Sequence, residues 1–118
     1  VIVTADHGEE FEDHGGHFHG TTLYDEQVRV PLIWSSPGTV RPALVDVPVE
    51  LLDVATTLLA ALGIPRDGRM RGDDLSAVLA GRTEAGPRFA FAALEDERMV
   101  VVALVPCRSG RARDAGDG

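Results

Sequence analysis

The hydrophobic positions fall in short, separated runs, each bounded by turn-forming residues. Val1 to Thr4 (VIVT) is a β-branched run and predicts a buried strand. It ends at Asp6-His7-Gly8, where glycine permits a turn. Val30 to Trp34 (VPLIW) predicts a second strand, with Pro31 at its start or on an edge because proline has no N–H to donate. Ser35-Ser36-Pro37-Gly38 is turn chemistry, and a connecting segment runs to about Val49. Asp53 is expected to N-cap a helix through Leu62, with Leu58, Leu59 and Leu62 on one apolar face. Gly63 fits the position after the helix end, and Pro65 stops it. Arg66 to Gly72 reads as a loop. Asp73 or Asp74 can cap a short helix to about Ala80, closed by Gly81.

Beyond a Gly/Pro linker (Gly81 to Pro87), Arg88 to Leu94 and Met99 to Val105 flank Glu95-Asp96-Glu97-Arg98. That pattern predicts a β-hairpin with a four-residue polar loop. The tail from Cys107 to Gly118 has no apolar periodicity and is expected to be disordered. There is no internal repeat. Strands mixed with helices give an α/β class, with too few strands to close a sheet. The pattern divides the chain at 1–82, 83–105 and 106–118.

Composition narrows the class. The 118 residues fit one domain, and 44% hydrophobic content argues against wholesale disorder. The net charge is −8, which argues against a nucleic-acid backbone as partner. The single Cys107 excludes an intrachain disulfide framework and a four-Cys zinc site. No stretch approaches the roughly 18–20 apolar residues of a membrane helix, and no signal-peptide pattern is visible. Localisation is not legible. All 11 basic residues are Arg. The chain opens on Val1, directly in a strand, which suggests a fragment whose first strand would lack its neighbours.

The chemistry concentrates in residues 5–28. That segment carries seven acids (Asp6, Glu9, Glu10, Glu12, Asp13, Asp25, Glu26), no Lys or Arg, and every histidine of the chain (His7, His14, His17, His19). A long polar loop within a small domain is more often functional than not. Asp6 and His7 follow a strand directly. In parallel α/β sheets ligands bind beyond the carboxyl ends of strands, and a carboxylate with an imidazole is half of a divalent-metal site. Taken alone, Asp-His-Gly is a weak signal, since Asp before Gly is often only a turn former. His17 and His19 would face the same side of an extended segment. Either could protonate a leaving group or bind an anion. Spacing alone favours a solvated, Gly-rich loop with incidental histidines, and an adventitious transition-metal site is a third reading. Arg29 can pair with Asp25 or Glu26 at the surface. Cys107, near two arginines in a tail without a fixed base, reads as unremarkable.

Taken together, VIVTADHGEEFEDHGGHFHGTTLYDEQVRVPLI (Val1 to Ile33) resembles the sulfatase family of the alkaline-phosphatase superfamily. The matching pieces, in order, are the strand running into DHGE, the acidic Gly-His loop, TLYDE and RVPLI. Val47 to Pro65 resembles a family segment in which an Asp caps a helix ending near Gly-Ile-Pro, with Thr56 where Pro is common. Gly68 to Arg82 resembles the loop and short helix that follow. The resemblance covers residues 1–82, reaches 105 loosely, and stops at Cys107. It implies a partial alkaline-phosphatase-like core, strand-loop-strand-helix, followed by a small C-terminal β-hairpin.

The resemblance also implies chemistry. Family members hydrolyse sulfate esters of small molecules or glycans at a divalent-metal site, usually calcium. Their nucleophile is a formylglycine made from Cys or Ser in C-x-P-x-R. Asp6 and His7 match the later metal-ligand pair. Because calcium prefers oxygen, His7 keeps manganese, magnesium and zinc open. His19 stands where a catalytic Lys often lies, which implies anion binding or leaving-group protonation. His14 and His17 are further substrate-binding candidates. The implied mechanism neutralises the sulfate oxygens, attacks sulfur with the hydrated formylglycine, and protonates the departing alcohol.

The chain departs from the family in having no C/S-x-P-x-R motif and no early Asp-Asp metal pair. The expectation is a C-terminal piece of a sulfatase, inactive alone. Two further readings stand beside it. One is phosphodiester or phosphonate hydrolysis, or phospho-group transfer, on the same fold. The other is a non-enzymatic metal-binding module or decayed remnant.

Overall fold

A computed structural model describes residues 1–82, 88–96 and 99–105. The architecture is mixed α/β, with three two-stranded antiparallel sheets and three helices among the described residues. Strand β1 (Ile2–Thr4) pairs with β4 (Leu32–Trp34), Val3 opposite Ile33. Strands β2 (Glu10–Phe11) and β3 (His17–Phe18) form a small hairpin inside the polar segment. Helix α1 (Asp25–Val28) follows it. Helices α2 (Leu51–Ala61) and α3 (Ser76–Leu79) precede the hairpin of β5 (Ala90–Asp96) and β6 (Met99–Val105).

Several sequence expectations change. The first strand forms but is not buried: Val1 is 85% and Val3 50% exposed. It does have a neighbour, because the chain doubles back through Pro31, outside the ladder, and supplies β4. That pairing is antiparallel, so the parallel-sheet argument for a strand-end site does not apply as stated. The polar segment is not one loop, since β2, β3 and α1 lie within it. The last hairpin runs on to Asp96 and Met99, so Glu95 and Asp96 are strand residues rather than loop. The tail from Pro106 lies outside the described residues, as does Cys107.

Helix α2 shows where packing departs from periodicity. Its N-cap is Glu50 and not Asp53. Asp53 sits one turn in and accepts the Glu50 N–H at 3.0 Å, as a capping-box residue does. Its end follows expectation. Gly63 has φ 67°, a left-handed conformation open to glycine. The Gly63 N–H donates to Ala60 O and the Ile64 N–H to Leu59 O, the paired bonds that satisfy a helix's last carbonyls. The buried face is polar: Asp53, Thr56 and Thr57 are enclosed, while Leu58 and Leu62 are exposed.

Those buried polar groups are the joints of the structure. Thr57 Oγ1 donates to Asp53 O and accepts the Leu75 N–H, tying α2 to the start of α3. Asp53 accepts the Asp73 N–H at 2.8 Å and the Arg88 guanidinium at 3.1 Å. Gly72 is required where it stands, because a Cβ there would lie 2.1 Å from Leu52 O. Asp74 accepts from the hydroxyl and N–H of Ser76, which hold its carboxyl below the usual value. Leu75 is the buried apolar residue among the described residues. No helix among them is long and apolar enough to cross a membrane.

Candidate functional site

Asp6 and His7 leave the C-terminal end of β1. Gly8 follows because the chain passes against α1 there. Its N–H donates to Gln27 O at 2.8 Å, and a Cβ on it would lie 1.9 Å from Glu26 O. Any side chain at position 8 would push the loop off α1 and carry His7 with it.

The His7 ring fixes its own tautomer. Nδ1 lies 2.8 Å from Gly8 O, and a carbonyl can only accept, so Nδ1 carries the hydrogen. Nε2 is then the other face of the ring, 3.8 Å from Asp6 Oδ1. Asp6 Oδ1 also accepts the His7 backbone N–H at 3.0 Å, which holds the carboxylate on the Nε2 side of the ring. Ligating histidines commonly donate their second nitrogen to a backbone carbonyl in this way. One nitrogen and one carboxylate oxygen therefore fit two positions of a divalent-cation site.

His19 joins this pair from the far side of the β2–β3 hairpin. Its ring stacks on His7 with centroids 3.7 Å apart and planes 23° from parallel. Both Glu9 oxygens lie 3.3 Å from its Nδ1. An ionised Glu9 can only accept, which puts hydrogen on Nδ1 and turns Nε2 to other work. Asp6, His7 and His19 thus come together.

His14 and His17 do not join them. Phe18 has φ 73°, which breaks the extended run assumed for His17 and His19. His17 pairs with Glu12 at 3.0 Å on the outer side. His14 stacks on Tyr24 at 3.8 Å and meets Glu26 at 2.5 Å.

Local sequence pattern carries no sign of the group that shapes this loop. Glu10 is 1% exposed. Its carboxylate accepts N–H bonds from His14 (3.2 Å) and Gly16 (2.9 Å) and one from the Gln27 amide (2.9 Å). Gln27 also donates to Thr22 Oγ1 at 2.7 Å. Burial opposes the charge on Glu10. The bonds from Gly16, Gln27 and His14, with the His14 ring, outweigh it and hold the carboxyl below its ordinary value. Glu10, His14 and Glu26 form the three-ligand group found among the described residues, with candidate ligand atoms within 4.8 Å of one another. The Glu10 oxygens already have donors and His14 has Glu26, so that cluster is accounted for by its own bonds. In the sequence Glu10 is one acid among seven, and nothing in local pattern separates a buried carboxylate from a solvated one. Arg29 does pair with Asp25, at 4.0 Å on the surface.

Comparison with known proteins bears on this geometry. The family described as Sulfatase matches residues 1–64. The chain is similar to arylsulfatase K of Danio rerio, 32% identical over 95 residues, covering 77% of this chain and 18% of that protein. It is also similar to the uncharacterized sulfatase YidJ of Escherichia coli K12, 37% identical over 78 residues, covering 66% and 16% respectively. The chain spans less than a fifth of the length of these curated relatives. No solved structure matches it.

Proposed function

The chain belongs to the sulfatase family, and from that premise we propose that it supplies a metal-ligand pair and a leaving-group histidine to a sulfuric ester hydrolase. The observation that carries this reading is the convergence of His19 on His7, which β2, β3 and the Gly8 contact bring about.

Each residue then has a defined task. Asp6 and His7 would hold the divalent metal, which when bound neutralises charge on the sulfate oxygens. Calcium is the first expectation from the family. The imidazole donor keeps manganese, magnesium and zinc in the test. Glu9 orients His19 through Nδ1, so Nε2 is the atom that would deliver a proton to the departing alcohol oxygen. His14 and His17, set apart by the left-handed Phe18, would contact the non-reacting part of a substrate. The formylglycine nucleophile belongs to sequence this chain does not contain, and the 118 residues alone should turn over no sulfate ester.

Calorimetric titration of the protein with each of the four metals tests the ligand assignment. Asp6→Asn and His7→Ala should each weaken binding at least tenfold, while His17→Ala should not. Equal affinity in all four proteins would refute it. The nitrogen ligand supports a second reading, phosphodiester or phosphonate hydrolysis at the same pair. Comparing an aryl sulfate with an aryl phosphodiester, on the chain joined to a nucleophile-bearing sulfatase segment, separates the two.

A further inference from the structure

Two buried side chains have no part in the chemistry proposed above: Glu10, 1% exposed, and Gln27, 4% exposed. The bond from Gln27 Nε2 to Glu10 Oε2 is 2.9 Å long and joins β2 to α1. An ionised carboxylate only accepts, so the amide nitrogen faces it and the amide oxygen is left for another donor. That oxygen accepts the Thr22 N–H at 3.4 Å, while Nε2 also donates to Thr22 Oγ1 at 2.7 Å. Glu10 Oε1 accepts the N–H groups of His14 and Gly16, at 3.2 and 2.9 Å.

His19 lies between these attachments. Residues 17–21 form an arch with two feet: Gly16, held by Glu10, and Thr22, held by Gln27. The chain does not adopt that arch unaided. Phe18, the residue before His19, has φ 73°. A bulky side chain stays in that region only where its surroundings over-determine the backbone. The pairing of Phe18 with Glu10 across β2 and β3, together with the two feet, supplies the constraint. Gln27 also reaches the other ring. Its backbone carbonyl accepts the Gly8 N–H at 2.8 Å, immediately after His7. One residue thus holds the chain beside His7 and one foot of the arch that carries His19. The stack of the two rings, 3.7 Å between centroids, is where these two branches meet.

We propose that Glu10 and Gln27 are positioning residues, and that their buried bond sets the His19 ring over His7. The purpose of that placement, presenting His19 Nε2 to the departing alcohol, rests on the sulfatase reading above.

The arrangement of donors gives the test. Glu10→Gln keeps the shape of the side chain but puts a second amide in the pair. Its oxygen has to serve the His14 and Gly16 N–H groups, so its nitrogen faces Gln27. If the Gln27 amide turns to accept, its own nitrogen then faces the Thr22 N–H. Either way a buried donor meets a donor and goes unsatisfied. Combining Glu10→Gln with Gln27→Glu removes the conflict. A carboxylate at position 27 accepts from the new amide, from the Thr22 N–H and from the Thr22 hydroxyl, which can rotate to donate.

Nuclear Overhauser cross-peaks between the His7 and His19 ring protons are read in the metal-free protein. They should be lost in Glu10→Gln and return in the double exchange. Thr22→Val removes one acceptor at a half-buried residue and should lose them as well. Asp53→Asn, outside the segment, should lower stability and keep them, since lost stability by itself does not separate the rings. Cross-peaks absent from the parent, retained in Glu10→Gln, or unrecovered in a double exchange that regains the parent's urea midpoint would overturn the proposal. If Glu10→Gln does not fold, Thr22→Val decides: retained cross-peaks overturn it and lost ones bear it out. Because no metal is present, a failed ligand assignment in the calorimetry leaves this result standing. Retained cross-peaks in Glu10→Gln likewise leave the ligand pair standing.

Discussion

Gly8→Ala is the sharpest probe of how the fold places His7. The added Cβ would sit 1.9 Å from Glu26 O, and real Cβ contacts stay beyond 3.0 Å. The loop or α1 must therefore move by at least 1.1 Å, the difference between those distances. Overpacking of this kind costs about 1–3 kcal/mol. The displacement also stretches the 2.8 Å bond from Gly8 N–H to Gln27 O, worth about 0.5–1.5 kcal/mol. The expected loss is about 2–4 kcal/mol, a large part of the roughly 5–15 kcal/mol that holds a domain folded. Gly38→Ala is the matched control. Gly38 has φ 81° and no atom within 4 Å of its virtual Cβ, so it incurs only left-handed strain of about 1–2 kcal/mol. Urea unfolding reads both losses. Imidazole resonances of His7 and His19, whose rings shift each other while stacked, read the geometry. Gly8→Ala should move those resonances and Gly38→Ala should not. The reasoning fails if Gly8→Ala costs no more than Gly38→Ala, or if the stacked pair keeps its resonances.

Further tests follow from the buried polar groups. Asp53→Ala removes the acceptor for Glu50 N–H, Asp73 N–H and Arg88. Breaking a buried pair costs about 3–5 kcal/mol, and Asp53→Asn, which keeps an acceptor, should cost clearly less in the same urea experiment. Thr56 Oγ1 is buried without a hydrogen-bond partner, so Thr56→Val should raise stability by about 1 kcal/mol; a loss of similar size would show that the hydroxyl is satisfied. Glu10 gives the pH dependence. Its folded carboxyl titrates below its ordinary value of 4.5, so its stabilisation is present above that pH and is lost as pH falls through the lowered folded value. Acid unfolding monitored below pH 4.5 should be shallower in Glu10→Gln than in the parent, and identical profiles would contradict this.

The sequence made some of this structure legible and hid the rest for identifiable reasons. A β-branched run located β1, an apolar run located β4, and Gly63 with Pro65 located the end of α2, because these are local effects of sterics and hydrogen bonding. The resemblance across residues 1–33 offered Asp6, His7, His14, His17 and His19; the fold draws Asp6, His7 and His19 together and sets His14 and His17 apart on Glu26 and Glu12. Two assignments depended on partners that periodicity does not encode. Leu58 and Leu62 were expected to face a core, but Thr57 and Asp53 turn inward because α3 and Arg88 offer them bonds. His17 and His19 were grouped by spacing, and one left-handed residue, Phe18, separates them. Glu10 is one acid among seven in its segment, and what distinguishes it, three donors, is a tertiary property.

The order of assembly follows from the bonds around Glu10. They span at most 17 positions, between Glu10 and Gln27, whereas Asp53 and Arg88 are separated by 35. Doubling a loop adds only about 0.6 kcal/mol of closure entropy, so length alone barely ranks the two events. What ranks them is the return on each closure. One short excursion satisfies the buried carboxylate with three donors and stacks two imidazoles, while the longer one joins α2 to the residues leading into β5. Contacts of low sequence separation form first in a folding chain. The expectation is that the histidine-bearing segment closes first and the remainder of the chain condenses onto it, which φ-values higher at Gln27 than at Asp53 would bear out.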